Sequence, residues 1–143
     1  MGISIREMED GDIAHICRIQ ETITKKKAPK SWARDVQEHI AKNKRECLTA
    51  TEGGKVVGFI IGNIKTLEYG LEKSGWIVTL GVDPKYMGRG VGKALGEKLL
   101  AHFKNEGCGE VYTSVVWDST DLLAFFKSLG FKRSDFINLE RDL

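Results

Sequence analysis

The run Gly88-Arg89-Gly90-Val91-Gly92-Lys93 stands between an apolar stretch, Trp76-Ile77-Val78-Thr79-Leu80-Gly81-Val82, and a helix-patterned stretch from Val91 to Phe103. A strand that leads through alternating glycines into a helix limits the fold more than any other feature of the chain. The glycines remove side chains where a ligand must approach the backbone, and the start of a helix offers unpaired amide donors with a favourable dipole. Arg89 and Lys93 add positive charge at the same place. The combination suits a phosphate or pyrophosphate, but a glycine-rich turn before a helix also serves as a plain tight connection, so its neighbours must decide.

Two familiar glycine fingerprints do not fit. A P-loop needs a Gly-Lys-Ser/Thr end, and here Lys93 precedes Ala94, which has no hydroxyl for a magnesium ion. The dinucleotide fingerprint Gly-x-Gly-x-x-Gly needs a third glycine where Lys93 stands, early in a βαβ unit, and this run lies past mid-chain.

At 143 residues, 41% of them hydrophobic and 29% charged, residues 1–143 suit one domain with a substantial core. A net charge of +2 is too mild to suggest a nucleic-acid partner. Lys25-Lys26-Lys27 with Lys30 reads as a solvated basic loop. Cys17, Cys47 and Cys108 are odd in number and lack ligand-spaced histidines, so neither a disulfide framework nor a metal site is expected. His15, His39 and His102 are scattered singly and read as surface or packing residues. The first residues lack a signal-peptide pattern, Arg6 breaks a myristoylation motif, and no apolar run nears the ~20 residues of a membrane helix, so a cytoplasmic protein without membrane contact is expected.

Periodicity gives the element order. Ile3 and Ile5 suggest a first strand, and Asp10 is placed to cap a helix carrying Ile13, Ile16, Cys17 and Ile19. A second helix over 31–42 follows Pro29. Strands over 47–52 and 55–64 flank Gly53-Gly54, a hairpin signal. A connection over 65–74 leads to a strand over 75–82, and after the glycine run come a helix to about Asn105 and a strand over 110–116. A helix over 119–129 ends at Gly130, and 136–142 reads as a closing strand.

Val82-Asp83-Pro84-Lys85-Tyr86-Met87-Gly88-Arg89-Gly90-Val91-Gly92-Lys93-Ala94-Leu95 resembles the acetyl-coenzyme A motif of the GNAT (Gcn5-related) N-acetyltransferases, Q/R-x-x-G-x-G/A. Ala124-Phe125-Phe126-Lys127-Ser128-Leu129-Gly130-Phe131 looks like the family's second signature, a helix ending in Leu-Gly-Phe. The resemblance implies an α/β (α+β) fold with a mixed, mainly antiparallel central sheet flanked by helices, in the order β-α-α-β-β-β-α-β-α-β. It implies that strands 75–82 and 110–116 splay into a cleft that takes acetyl-CoA from one side and an amine from the other. On this resemblance Leu80, Gly81 and Val82 line the pantetheine arm, and Met87, Gly88, Arg89, Gly90, Val91, Gly92 and Lys93 cradle the pyrophosphate. Ser119, Phe125 and Phe126 complete the cofactor side, and a homodimer is expected by resemblance alone.

The chemistry so implied is attack of a neutral amine on a thioester, which needs proton removal, oxyanion stabilisation and release of a thiolate. By resemblance the Leu80 amide is the oxyanion donor. The proton-transfer positions depart from the family pattern: Val78 and Ser114 stand where members carry glutamate, Phe126 where many carry a tyrosine acid, and Ser119 where an asparagine is usual. Met87 replaces the motif's Gln or Arg. Asp118 and Tyr69 are the candidate substitutes, with a helix cap and loop packing as their structural alternatives. Trp76 and Trp117 could wall the acceptor side or pack in the core. The acceptor stays open between a small-molecule amine and a protein N-terminus. Three readings therefore stand: an acetyltransferase resting mainly on positioning, a non-catalytic coenzyme A binding or regulatory module, and an interaction domain whose glycine loop is structural.

Overall fold

The computed structural model describes residues 2–66 and 73–143. Five strands form one sheet in sequence order: β1 (Ser4–Glu7), β2 (Cys47–Glu52), β3 (Lys55–Thr66), β4 (Lys73–Val82) and β5 (Glu110–Thr113). The first three pairings are antiparallel and β4 with β5 is parallel. A parallel neighbour needs a crossover, and α3 (Val91–Asn105) supplies it. Helices α1 (Ile13–Thr24) and α2 (Lys30–Lys42) precede β2, and α4 (Thr120–Ser128) follows β5.

Two cores sandwich the sheet. Met8, Ile13, Ile16, Val36, Ile40, Phe59 and Ile61 join α1 and α2 to one face, while Val57, Ile60, Ile77, Leu95, Leu99 and Phe103 join α3 to the other. Alternation from Phe59 to Ile61 makes this division, and a β-bulge, where Ala50 pairs with Gly58 and Thr51 with Val56, brings Val57 to the same face as Ile60. Gly58 and Gly62 let α3 settle on β3: a Cβ at Gly58 would lie 2.9 Å from Val91 Cγ1, and one at Gly62 3.1 Å from Leu99 Cδ2. Val91 is thereby seated at the first turn of α3, which fixes the start of the helix over the sheet.

Several boundaries differ from the sequence reading. The first helix is entered through a 3-10 turn at Asp10–Asp12, and Asp12 rather than Asp10 accepts the Glu9 amide at 2.9 Å. Strands β3 and β4 run to Thr66 and from Lys73, so the connection is narrower than 65–74, and its residues 67–72 lie outside the described ones. Strand β5 stops at Thr113 instead of Val116. The closing strand expected over 136–142 does not form: the segment has the alternation of a strand but no ladder. The Gly53-Gly54 hairpin holds, both residues having positive φ, as does the turn after α4, where the Gly130 amide donates to Lys127 and that of Phe131 to Phe126.

Candidate active site

Strand β4 has two neighbours along its first half and one along its second. Its ladder with β5 ends at Ile77 opposite Thr113, whose hydroxyl donates to the Ile77 carbonyl at 3.0 Å. From Val78 to Val82 only β3 pairs with it among the described residues. The Ile77 carbonyl therefore points toward β5, whereas the Asp83 amide donates to Val57 on the β3 side at 2.8 Å. In a regular strand, residues six apart present their backbone groups to the same side, so one residue must break the alternation.

The register identifies that residue. Ile61 pairs with Thr79 and Gly62 with Ile77, leaving Val78 as the extra residue of a β-bulge. Counting back from Asp83, the Gly81 and Thr79 groups turn to β3, and those of Leu80 and Val82 turn to the open side. A strand edge with open backbone donors and acceptors is a template on which an amide-like chain can add. Val78 itself is 58% exposed and carries no ionisable atom at the point where the strands part.

The glycine loop lies at the end of the same strand. A 3-10 turn at Pro84–Tyr86, with Asp83 Oδ1 accepting the Lys85 amide at 3.0 Å, redirects the chain toward α3. Gly88 and Gly90 have φ of 80° and 81°, a conformation that side-chain-bearing residues avoid, and a Cβ at either would meet no atom within 4 Å. Space thus lies open over the loop. The first intrahelical bond of α3 runs from the Ala94 amide to the Gly90 carbonyl, so the amides of Val91, Gly92 and Lys93 have no partner within the helix. These donors, the positive end of the helix and the clearance above the glycines fit a pyrophosphate without any further group.

The two cations of the motif are more engaged than their sequence position implies. Arg89 Nη1 donates to Glu52 Oε2 at 3.2 Å, and its guanidinium carbon lies 5.0 Å from the centre of the Tyr86 ring. Lys93 Nζ is 4.0 Å from Glu97 one turn on. Glu52 and Tyr86 escaped the sequence reading because nothing in a linear spacing shows that β2 runs beside the loop. Met87 is 60% exposed, leaving its backbone as the part of it that shapes the loop.

Helix α4 closes the other flank. A Cβ at Gly92 would stand 3.3 Å from Phe125 Cε1, which places Phe125 beside the cradle. Phe126, 7% exposed, is turned into the core and meets Phe125 and Phe131 edge-on at 5.1 and 5.2 Å. Ser119 precedes α4 without a side-chain cap bond, its amide donating to Val116 across the Trp117-Asp118 turn. Asp118 and Trp117 are exposed there, so Trp117 is not a core residue. The Ser114 hydroxyl accepts a bond from Asn138 at 2.8 Å. Trp76 tilts against Tyr112 at 5.0 Å, with Lys65 Nζ 4.3 Å above its ring. Tyr69 lies outside the described residues.

On the opposite face, a Cβ at Gly81 would stand 2.5 Å from Phe59 Cε1 and 3.3 Å from Ile23 Cδ1, so the end of α1 covers this part of β4. The lysine run that follows is a built turn: Lys25 caps α1 at φ 58°, and Glu21 Oε2 accepts the Ala28 amide at 2.7 Å.

The remaining candidates lie elsewhere. His39 Nε2 pairs with the Gly62 carbonyl at 2.7 Å, and His102 pairs with Glu46. A cavity of about 420 Å³ lined by Arg6, Arg45, Lys98 and His102 opens toward the C-terminal half of α3, away from the glycine loop. All three cysteines are free, and burial pushes the Cys47 thiol up to about 12. Among the described residues no group of three or more His, Cys, Asp or Glu could hold a metal ion, and no helix is long and apolar enough to cross a membrane.

Known proteins resemble this chain in sequence and in fold. The chain is 36% identical over 88 residues to the N-alpha-acetyltransferase RimI of Mycobacterium tuberculosis, covering 59% of this chain and 50% of that protein. It is 35% identical over 85 residues to the mycothiol acetyltransferase of Catenulispora acidiphila, covering 59% of this chain and 27% of that one. The chain thus spans half or less of the length of these curated relatives. Its fold matches a transcriptional regulator from Bacillus halodurans C-125 with a TM-score of 0.84 at 23% identity, covering 99% of this chain and 100% of that one. The sequence model of the acetyltransferase (GNAT) family matches residues 13–131, and the chain belongs to that family.

Proposed function

We propose that the protein is an N-acetyltransferase that moves the acetyl group of acetyl-CoA to a primary amine by direct attack in a ternary complex. The observation that carries this reading is the continuity of two features: the strand edge freed beyond Thr113 and the cradle of Gly88 and Gly90 at the start of α3. An anionic group on the helix amides and an amide-containing arm along Leu80 and Val82 form one extended path, which matches the two chemical parts of the coenzyme.

In this mechanism the loop amides from Met87 to Lys93 hold the pyrophosphate, Leu80, Gly81 and Val82 hold the arm, and Ser119, Phe125 and Phe126 close the α4 flank. The amine nitrogen attacks the thioester carbonyl carbon, the oxyanion is held by the Leu80 amide, and the carbon–sulfur bond breaks to release the coenzyme thiol. The ammonium proton leaves to solvent before attack, the nitrogen gives up a second proton as the tetrahedral intermediate collapses to the amide, and the departing thiolate takes up one, so one proton is released overall. Asp118, exposed beside α4, and Tyr69 are the side chains assigned to proton handling. Positioning supplies most of the acceleration. The acceptor is a small-molecule amine or a protein N-terminus, and the protein works as a cytoplasmic homodimer without nucleic acid.

Calorimetric titration with acetyl-CoA, followed by thiol release over a panel of amines and peptide N-termini, tests the proposal. Binding with turnover supports it. Binding without turnover across the panel favours the second reading, a non-catalytic coenzyme A binding module, for which apolar Val78 at the bulge is the specific observation. Absence of binding overturns both.

A further inference from the structure

Helix α1 crosses the sheet and ends over its open edge. It starts at Asp12, which pairs with Arg6 on β1 and accepts from the Thr49 hydroxyl on β2 at 3.1 Å. It ends with Ile23 beside Gly81 on β4, in the stretch that β5 does not reach. By Trp32, whose ring meets Phe59 edge-on at 6.5 Å, the chain is back over β3. The turn between, residues 25–29, therefore lies at the rim of the gap where β4 has no second neighbour. It carries Lys25, Lys26 and Lys27, with Lys30 opening α2, all exposed and none in an ion pair among the described residues. The turn is held from within: the Lys26 amide donates to Thr24 Oγ1 at 3.3 Å and the Ala28 amide to Glu21 Oε2 at 2.7 Å. Two of the lysines stand where their type is locally unfavourable. Lys25 holds φ 58°, a conformation that glycine adopts at less cost, and Lys30 brings a cation to the positive end of α2. Neither placement helps the chain to fold, which leaves the charge itself to be explained.

We infer that this lysine loop selects the acceptor, and that the acceptor is a polypeptide N-terminus followed by acidic residues. The α3 face of the sheet is filled by Leu95, Leu99 and Phe103, all fully buried, so an amine approaches the bulge at Val78 from the α1 side, past the lysines. Four ammonium groups at that entrance repel a polyamine and draw in an acceptor with carboxylates near its amine. A small amine is too short to face all four. An extended chain, rising about 3.3 Å per residue, presents several side chains to the loop while its first nitrogen reaches the thioester. The inference rests on the acetyltransferase reading above and narrows its acceptor.

The test uses the full chain and two peptides of one length, free at the N-terminus, that carry either glutamates or lysines after the first residue. Calorimetry reads their binding to the coenzyme A complex, and thiol release reads transfer from acetyl-CoA. The acidic peptide is expected to bind more tightly and to react with kcat/KM about 10-fold above the basic one at low salt, the ratio shrinking as ionic strength rises. Lys26→Glu with Lys27→Glu is expected to reverse the preference, with coenzyme affinity and the circular dichroism spectrum unchanged. Lys25→Gly is expected to lower the ratio without loss of thermal stability, since glycine suits that backbone better. Preferential binding of the acidic peptide without transfer to any amine keeps the loop as a reader of acidic chains and overturns the transferase. Transfer with no charge preference, or a preference indifferent to the double reversal, overturns the loop's role and keeps the transferase. Variants that weaken coenzyme binding instead assign the lysines to the cofactor's phosphates and overturn the inference. Neither binding nor transfer overturns both.

Discussion

Phe103 lies over Gly75 so closely that a Cβ built on the glycine would stand 2.6, 2.7 and 2.8 Å from three carbons of the ring. Phe103 is fully buried at the last turn of α3, and Gly75 sits on β4 where the parallel partner β5 is in register with it. The absent side chain is thus what lets the crossover helix approach the β4–β5 junction. Gly75→Ala forces the ring or the strand to move and is expected to cost about 1–3 kcal/mol. Urea unfolding checks it, and Gly75→Ala with Phe103→Leu should recover part of the loss relative to the sum of the two single changes.

At the cradle, Gly90→Val and Arg89→Ala should separate backbone from charge. The valine must hold a left-handed conformation, costing about 1–2 kcal/mol, and its side chain enters the open space above the loop. Coenzyme titration is expected to show no binding for Gly90→Val while the folded spectrum persists. Arg89 is already shared with Glu52 and Tyr86 at a half-exposed site, so Arg89→Ala should weaken binding by only a few-fold, about 1 kcal/mol or less. Equal losses in the two variants would contradict a cradle made mainly of amides.

Much of this molecule was legible in the sequence because local chemistry and tertiary structure agree there. The Gly53-Gly54 turn, the glycine loop and the Leu129-Gly130 helix end are backbone requirements that only certain residues meet, and each falls where its residues put it. Val78 was recognised as a departure, but not as the bulge residue, since a register shift depends on which residue of β3 stands opposite. The engagement of Arg89 by Glu52 is likewise a contact across 37 positions. The tail shows the converse: its alternation is that of a strand, yet alternation fixes only which residues share a side and not whether a neighbour exists.

Val78→Glu offers a gain-of-function test of the bulge. The position is 58% exposed, so a charged side chain there has little desolvation cost, and stability should change by no more than about 0.5 kcal/mol. Many members of the family carry glutamate at this place, and a carboxylate beside the parting strands can take the proton from an entering ammonium. Turnover of amines that are almost fully protonated at neutral pH should rise by roughly 10²-fold, with a smaller gain for low-pKa α-amines. The kcat/KM ratio between an alkyl amine and a peptide N-terminus, measured for both proteins, decides the matter. An unchanged ratio would remove Val78 from the path of the acceptor.

The Arg6–Asp12 pair makes stability depend on pH in a defined direction. Burial pushes the Asp12 carboxyl up, but hydrogen bonds from Arg6, the Glu9 amide and the Thr49 hydroxyl outweigh it and hold the group below its ordinary range. A group whose folded pKa is depressed binds its proton more readily when unfolded. Its stabilisation is therefore complete above the unfolded value near 3.9 and is lost as pH falls through the lower folded value. Asp12→Asn keeps the shape and removes the charge, with an expected cost of about 1–3 kcal/mol at pH 7, toward the lower end because the Arg6 side chain is 39% exposed and screened by solvent. The gap between wild type and variant, read from urea midpoints at a series of pH values, should be constant from pH 7 to about 5 and shrink below about 4. A gap that stays constant into that acid range would assign the cost to altered hydrogen bonding and not to the carboxylate charge.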